Sequence, residues 1–139
     1  MENYGGKSSF FGPIQTLKCP DDNSLIKEQL NSEGNNQVLI VDAEGVNTVA
    51  LLGDLIADAG MKNNWSGIVV NGYIRDVDII KTLDIGVQAL GTYPIKSEKR
   101  GLGELGIEIC FGGLTFRPGQ YIYADNNGLL LSEIELNSS

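Results

Sequence analysis

The chain reads TVALLGDLIADAG over residues 48–60 and GIVVNGYIRD over residues 67–76. The apolar run Thr48–Leu52 predicts a buried strand, and the amphipathic run Leu55–Met61 predicts a helix. Gly67–Val70 predicts a second buried strand. A strand, a helix and a strand in this order are typical of a parallel βαβ step.

Polar residues stand where each of these two strands gives way to a helix. Gly53 and Asp54 follow the first strand, and Arg75 and Asp76 follow the second, with twenty residues between Asp54 and Arg75. Successive parallel strands present their carboxyl ends at the same edge of a sheet, where binding sites of α/β proteins are usually built. The spacing therefore predicts that two carboxylates and a guanidinium meet at one edge.

The rest of the chain predicts one α/β domain over residues 1–139, with mixed sheets rather than a doubly wound nucleotide fold. β/α alternation fills the middle of the chain, and β-rich arms flank it. The further predicted strands lie near 13–19, 37–41, 87–93, 107–111, 114–117, 121–124 and 129–131, and the further helices near 24–31 and 77–83.

The composition excludes several classes of function. The 139 residues contain no histidine, which removes histidine bases and histidine-bound zinc. The net charge of −8 argues against direct nucleic-acid binding and permits a basic protein partner, although solubility alone also explains it. The sequence shows no signal peptide and no membrane-length apolar run. Cys19 and Cys110 could form a disulfide, but two separate core thiols in a reducing cytosol are the simpler interpretation, so we expect a cytoplasmic protein.

The residues at the two strand ends have distinct chemical uses. Backbone N–H groups of residues 53–56 at a helix start can bind a carboxylate or another small anion. Arg75 offers a planar fork that suits a carboxylate or a 2-oxo acid. Without histidine, Asp54 and Asp76 could hold only a hard cation, Mg²⁺ or Mn²⁺, with water completing the shell.

Structural roles would explain the same residues. Asp54 and Asp76 could each be a plain helix N-cap, with Arg75 paired to a neighbouring carboxylate such as Asp78 or Asp84. Similarly, the basic cluster of Lys96, Lys99 and Arg100 is either an exposed loop or an anion-facing rim near the site.

Seven motifs together carry a resemblance that covers nearly the whole chain. The sequence resembles the family of the regulator of ribonuclease E activity A, which is shared with metal-dependent 4-hydroxy-4-methyl-2-oxoglutarate aldolases. The resemblance implies a swivelling β/β/α-type domain in a ring-shaped trimer, with sites between subunits. The motifs are YGGKSSF (4–10), VLIVD (38–42), GDLIA (53–57), GIVVNGYIRD (67–76), DIGVQA (84–89), FGGLTF (111–116) and ADNNG (124–128).

The resemblance also implies roles for individual residues. Gly53, Asp54, Leu55, Ile56 and Arg75 would bind the pyruvoyl group of the substrate, and Lys99 matches a lysine near the site in some aldolases. Asp76 would bind a divalent metal directly, and Asp54 would relay protons through a metal-bound water. The implied activity is cleavage of 4-hydroxy-4-methyl-2-oxoglutarate to two pyruvates, with oxaloacetate decarboxylation as a side reaction.

The same resemblance implies a second possible function, inhibition of ribonuclease E by protein–protein binding. The charge of −8 would suit docking on an arginine-rich segment of that enzyme. The Asp54, Arg75 and Asp76 set is intact, which favours the enzyme over the regulator.

Overall fold

A computed structural model of the chain describes residues 1–19, 21–96, 101 and 103–136. None of the helices in these ranges has the length and apolar character that a membrane span requires. The strands are β1 (Glu2–Asn3), β2 (Phe10–Lys18), β3 (Val38–Asp42), β4 (Ala50–Leu52), β5 (Gly67–Ile74), β6 (Gly86–Thr92), β7 (Glu104–Leu105), β8 (Ile109–Phe111), β9 (Leu114–Phe116), β10 (Tyr121–Asp125) and β11 (Gly128–Ser132), and the helices are α1 (Ser24–Leu30), α2 (Asp54–Lys62) and α3 (Val77–Ile80).

The described strands form a large mixed sheet and a small hairpin. The sheet runs in the order β1-β6-β5-β3-β2-β10-β11, with β4 added on β5 and β7 on β2, while β8 and β9 pair separately. Strands β2, β3, β4, β5 and β6 pair in parallel, and β1, β7, β10 and β11 add to them antiparallel. The expected single α/β domain with mixed sheets is confirmed.

The central strands are buried on both faces, which explains their continuous apolar runs. All five residues of Val38–Asp42 are buried. One face of the sheet packs against α1 and α2 through a core that includes Leu30, Leu39 and Ile68. The other face packs against the β8–β9 hairpin, where Ile109 and Phe116 are buried. Two cores thus hold the middle of the sheet from both sides.

The predicted βαβ step is present as β4, α2 and β5. Strands β4 and β5 run parallel, with Leu52 opposite Ile74. The second strand is longer than predicted, since it continues past Val70 through Asn71 and Gly72 to Ile74. Neither Asn71 nor Gly72 has a positive φ. The side-chain amide of Asn71 donates to Oδ1 of Asp42 on the neighbouring strand at 2.9 Å. Arg75 and Asp76 therefore follow the strand end directly.

A close contact sets the position of α2 above the sheet. The helix buries Ala57 and Gly60. A Cβ atom at Gly60 would lie 3.1 Å from Cδ2 of Leu30 and 3.4 Å from Cδ1 of Ile85. Small residues on this side let the helix pack tightly, which fixes the first turn of α2 relative to the strand ends.

The two cysteines have different surroundings. Cys19 is buried, and burial, with the nearby carboxylates of Asp22 and Asp42, raises the pKa of its thiol to about 12. Cys110 is exposed, so the interpretation of both thiols as core residues is wrong for this position. It lies on β8, where Ile109 points into the core and the next side chain of the strand therefore points outward.

Candidate active site

Backbone pairing brings the two polar segments together at one edge of the sheet. The last residues of β4 and β5, Leu52 and Ile74, are partners in the ladder. The N–H of Arg75 then donates to the carbonyl of Leu52 at 2.9 Å, which extends the pairing past the end of β5. Gly53 and Arg75 consequently lie side by side, as the sequence predicts.

Asp76 points its carboxylate back at this junction. Its backbone is left-handed, with φ 60° and ψ 35°, a conformation that aspartate adopts more readily than most residues. Oδ2 of Asp76 accepts a hydrogen bond from the backbone N–H of Asp54 at 3.2 Å. The same oxygen lies 3.1 Å from Nη1 of Arg75. One carboxylate oxygen therefore bridges both segments.

Gly53 allows this close approach. A Cβ atom at this position would lie 2.9 Å from Oδ2 of Asp76 and 3.0 Å from Nη2 of Arg75. The backbone of Gly53 is extended, so any residue could adopt its conformation. Glycine is needed here for the space beside the ion pair and not for its backbone freedom.

The first turn of α2 supplies further donors. Gly53 is the N-cap of this helix, and Asp54 is the first helical residue. The N–H groups of the first turn have no intrahelical acceptor, and they carry the positive end of the helix dipole. Together with the guanidinium of Arg75, they form a cradle that suits a carboxylate.

The structure shows where these residues lie relative to the helix caps and ion pairs. Gly53, and not Asp54, occupies the N-cap position of α2. Asp76 occupies the N-cap position of α3, yet its carboxylate reaches α2 instead of capping its own helix. Arg75 pairs with Asp76, whereas Asp78 pairs with Lys81 at 3.6 Å.

The donor set at this edge limits which metal could bind. Among the residues that the structure describes, no three His, Cys, Asp or Glu side chains lie close enough to hold an ion together. Asp76 offers one carboxylate whose side chain is 27% exposed. Mg²⁺ keeps several of its waters and commonly binds through one or two carboxylates plus substrate oxygens. The residues present fit such an ion, and they do not fit an all-protein cage.

The basic cluster is described only in part. Lys96 is exposed, and its backbone forms an isolated bridge with Ala50 at the start of β4. This contact brings the segment against the strand that leads to Gly53. Lys99 and Arg100 lie outside the described residues, so the substrate-binding role of Lys99 stays a prediction.

Sequence reasoning missed the bond between Asp76 and the α2 amide. The motif places Asp76 near Asp54, but it does not reveal the left-handed backbone of Asp76 or the contact of its carboxylate with the Asp54 N–H. It also missed two surface grooves away from this edge, of about 610 and 930 Å³. The first is lined by Phe10, Phe11 and Tyr123 among others, and the second by Gln88 and Phe111 among others.

A mixed sheet whose parallel strands β4 and β5 end in two adjoining polar loops is the architecture of an α/β protein with a binding site at the sheet edge. The model of the RraA-like family, described as aldolase/RraA, matches residues 1–131. The chain therefore belongs to the RraA-like family.

Relatives and solved structures agree with that assignment. A Pseudomonas aeruginosa protein with the provisional name 4-hydroxy-4-methyl-2-oxoglutarate aldolase is 55% identical over 132 residues, which cover 95% of this chain and 82% of that one. The RNA-processing inhibitor RraA of Thermus thermophilus superimposes with a TM-score of 0.96 at 36% identity, covering 99% of this chain and 84% of that one. A Geobacillus kaustophilus structure, described as an S-adenosylmethionine:2-dimethylmenaquinone methyltransferase, gives a TM-score of 0.95 at 41% identity, covering 97% and 84%.

The role of Gly53 can be tested by adding one methyl group. In Gly53→Ala, we expect the mobile ends of Arg75 and Asp76 to move aside, so that the free energy of unfolding changes by less than about 1 kcal/mol. The Asp54 amide proton should shift upfield in the ¹H–¹⁵N spectrum, because its bond to Asp76 lengthens.

Gly12→Ala is the matched control for this substitution. A Cβ atom at Gly12 would lie 2.2 Å from the backbone carbonyl oxygen of Asn36, which cannot move aside. This variant should lose at least about 2 kcal/mol of stability and leave the Asp54 amide resonance in place. An unchanged Asp54 resonance in Gly53→Ala would contradict the assigned contact.

Proposed function

We propose that this chain is a divalent-metal-dependent aldolase that cleaves 4-hydroxy-4-methyl-2-oxoglutarate to two pyruvates. Oxaloacetate decarboxylation is the proposed secondary activity. The observation that carries this proposal is the junction of Gly53, Asp54, Arg75 and Asp76 at one sheet edge. Relatives about half identical to this chain bear the name of that aldolase, which supports the choice of substrate.

Binding of the substrate would use the positive groups at the edge. The Arg75 guanidinium can hold the carboxylate of the 2-oxo acid end through paired N–H bonds. The first-turn N–H groups of residues 54–56 can donate hydrogen bonds to the remaining oxygens beside Gly53. The amides are held by the backbone of α2, and the Arg75 side chain extends from the residue that follows β5. Donors from two directions would orient the pyruvoyl group.

Cleavage breaks the bond between C3 and C4 of the substrate. The C4 hydroxyl loses its proton, C4 becomes the ketone of one pyruvate, and the bonding electrons move onto C3 and the 2-oxo group. Oxaloacetate would lose CO₂ to give the same pyruvate enolate. A divalent cation held by Asp76 would supply the Lewis-acid charge that stabilises this enolate.

Asp54 is the proposed proton carrier. It is the first residue of α2, it is partly buried, and its backbone N–H donates to Asp76. Its carboxylate would take the proton of the C4 hydroxyl through a water molecule and later return a proton to C3. The chain contains no histidine that could perform this step.

Decarboxylation of oxaloacetate with Mg²⁺ tests the assignment. We expect Asp76→Ala to lower the Mg²⁺-dependent kcat/KM by at least about 100-fold, because the cation loses its one direct protein ligand. Asp78→Asn is the control, since it removes the same charge two residues away at a side chain that is 93% exposed. Equal activity of Asp76→Ala and the wild type would rule out the assignment.

The proposed assembly is a homotrimer with the site near a subunit boundary. Leu55 and Ile79 lie beside the site with 79% and 50% of their surface exposed, which supports coverage by a neighbouring subunit. Light scattering on the protein eluted from a size-exclusion column should give three times the chain mass of 15.0 kDa, and a monomer mass would contradict the trimer.

The proposed location is the cytoplasm. Both cysteines are free, which supports a reducing compartment.

Regulation of ribonuclease E is the second candidate function. The Thermus structure described as an RNA-processing inhibitor favours it, and the net charge of −8 suits a basic docking segment. Purified ribonuclease E should then retain this protein in moderate salt, and Asp76→Ala should bind equally well. Absence of any complex at low salt would remove this candidate.

A further inference from the structure

The Asp76 carboxylate contacts two of the groups that the proposed function assigns to the substrate. Its Oδ2 atom takes the Asp54 N–H at 3.2 Å and lies 3.1 Å from Nη1 of Arg75. We propose that Asp76 is an internal competitor of the substrate carboxylate, an inference that rests on the proposed function. Cation binding at Asp76 and 2-oxo acid binding at Arg75 are then positively coupled.

The geometry leaves little room for two carboxylates at this junction. Nη2 of Arg75 lies close to the backbone of Gly53. A Cβ atom on Gly53 would be only 3.0 Å from this nitrogen. Oδ2 of Asp76 lies 2.9 Å from the same point. The fork of Arg75 and the start of α2 thus converge on one small space, and the Asp76 oxygen already lies in it.

The contact can open without a change in the backbone. The carbonyl of Asp76 accepts hydrogen bonds from the amides of Ile79 and Ile80, both at 3.0 Å, which hold the backbone of residue 76 in place. The side chains of Arg75 and Asp76 are 31% and 27% exposed, so water reaches the ion pair and screens it. Rotation of one side chain is therefore sufficient to free both donors.

Reciprocal coupling follows from this competition. A cation that draws the Asp76 carboxylate away makes the Asp54 amide and the Arg75 guanidinium available to an external carboxylate. By linkage, a 2-oxo acid that displaces Asp76 raises the cation affinity of the freed carboxylate by the same factor. Each ligand would bind weakly alone and tightly when the other is present.

Calorimetric titration of pyruvate into the full chain tests the proposal without measuring activity. With a chelator present, Asp76→Gly should bind pyruvate about tenfold more tightly than the wild type, because the internal competitor is gone. Glycine also suits the left-handed backbone at this position. Asp76→Asn keeps the side-chain shape without the charge, and it should bind pyruvate with intermediate affinity. This variant keeps the test available if Asp76→Gly fails to fold.

Asp78→Asn controls for the loss of one negative charge and should change the metal-free affinity less than about twofold. The wild type should gain affinity for pyruvate when Mg²⁺ is added, whereas Asp76→Gly should not. Equal metal-free affinities of Asp76→Gly, Asp76→Asn and the wild type would overturn the competition, even if Mg²⁺ promotes binding to the wild type.

Failure of the proposed function gives a different result. If Arg75→Ala leaves the pyruvate affinity unchanged in both the wild-type and Asp76→Gly backgrounds, the 2-oxo acid does not bind at this edge. If the wild type binds no pyruvate even with Mg²⁺, the substrate class is wrong. Either result would overturn the proposed function together with the competition.

Discussion

The parallel pairing of β4 with β5 is the constraint on which the site depends. Leu52 lies opposite Ile74, and the Arg75 N–H continues the ladder to the Leu52 carbonyl at 2.9 Å. Two loops twenty residues apart in the chain therefore emerge side by side. Helix α2 must cross over the sheet to make this pairing possible, and its small buried residues hold it close enough to aim its first turn at Arg75.

The Asp76 carboxylate connects the two strand ends through a hydrogen bond and an ion pair. The N-cap of α2 is a glycine and brings no side-chain acceptor of its own. Asp76 from the next strand end supplies that acceptor to the N–H of Asp54, 22 residues away in the chain, and balances the Arg75 charge with the same oxygen. Although the chain contains no histidine, a carboxylate, a guanidinium and a helix N-terminus meet at this edge. Such groups suit the binding of a 2-oxo acid and a divalent cation.

The sequence predicted the elements that carry a strong local signal. The buried run ending at Leu52, the helix after Gly53 and the strand before Arg75 all follow from hydrophobic patterning, and their common edge follows from parallel pairing. The continuation of β5 through Asn71 and Gly72 could not be predicted in this way, because Asn-Gly is a strong local turn signal. A buried partner on the neighbouring strand, Asp42, overrides that signal.

Details of the site depend on geometry that residue types do not encode. The left-handed backbone of Asp76 decides that its carboxylate caps α2 instead of α3, and neither spacing nor composition predicts that angle. Likewise, alternation alone does not decide which face of a short hairpin is solvated, so the sequence does not reveal that Cys110 is exposed. Family membership, by contrast, follows from seven motifs taken together and is confirmed over residues 1–131.

In the proposed function, a 2-oxo acid binds where the strand ends of β4 and β5 meet. A ¹H–¹⁵N titration of the wild-type protein with pyruvate and Mg²⁺ tests it most directly. We expect the largest shifts at the backbone amides of Asp54, Leu55 and Ile56 and at the Arg75 guanidinium. Shifts confined to either of the two surface grooves, such as that beside Phe11 and Tyr123, would contradict it.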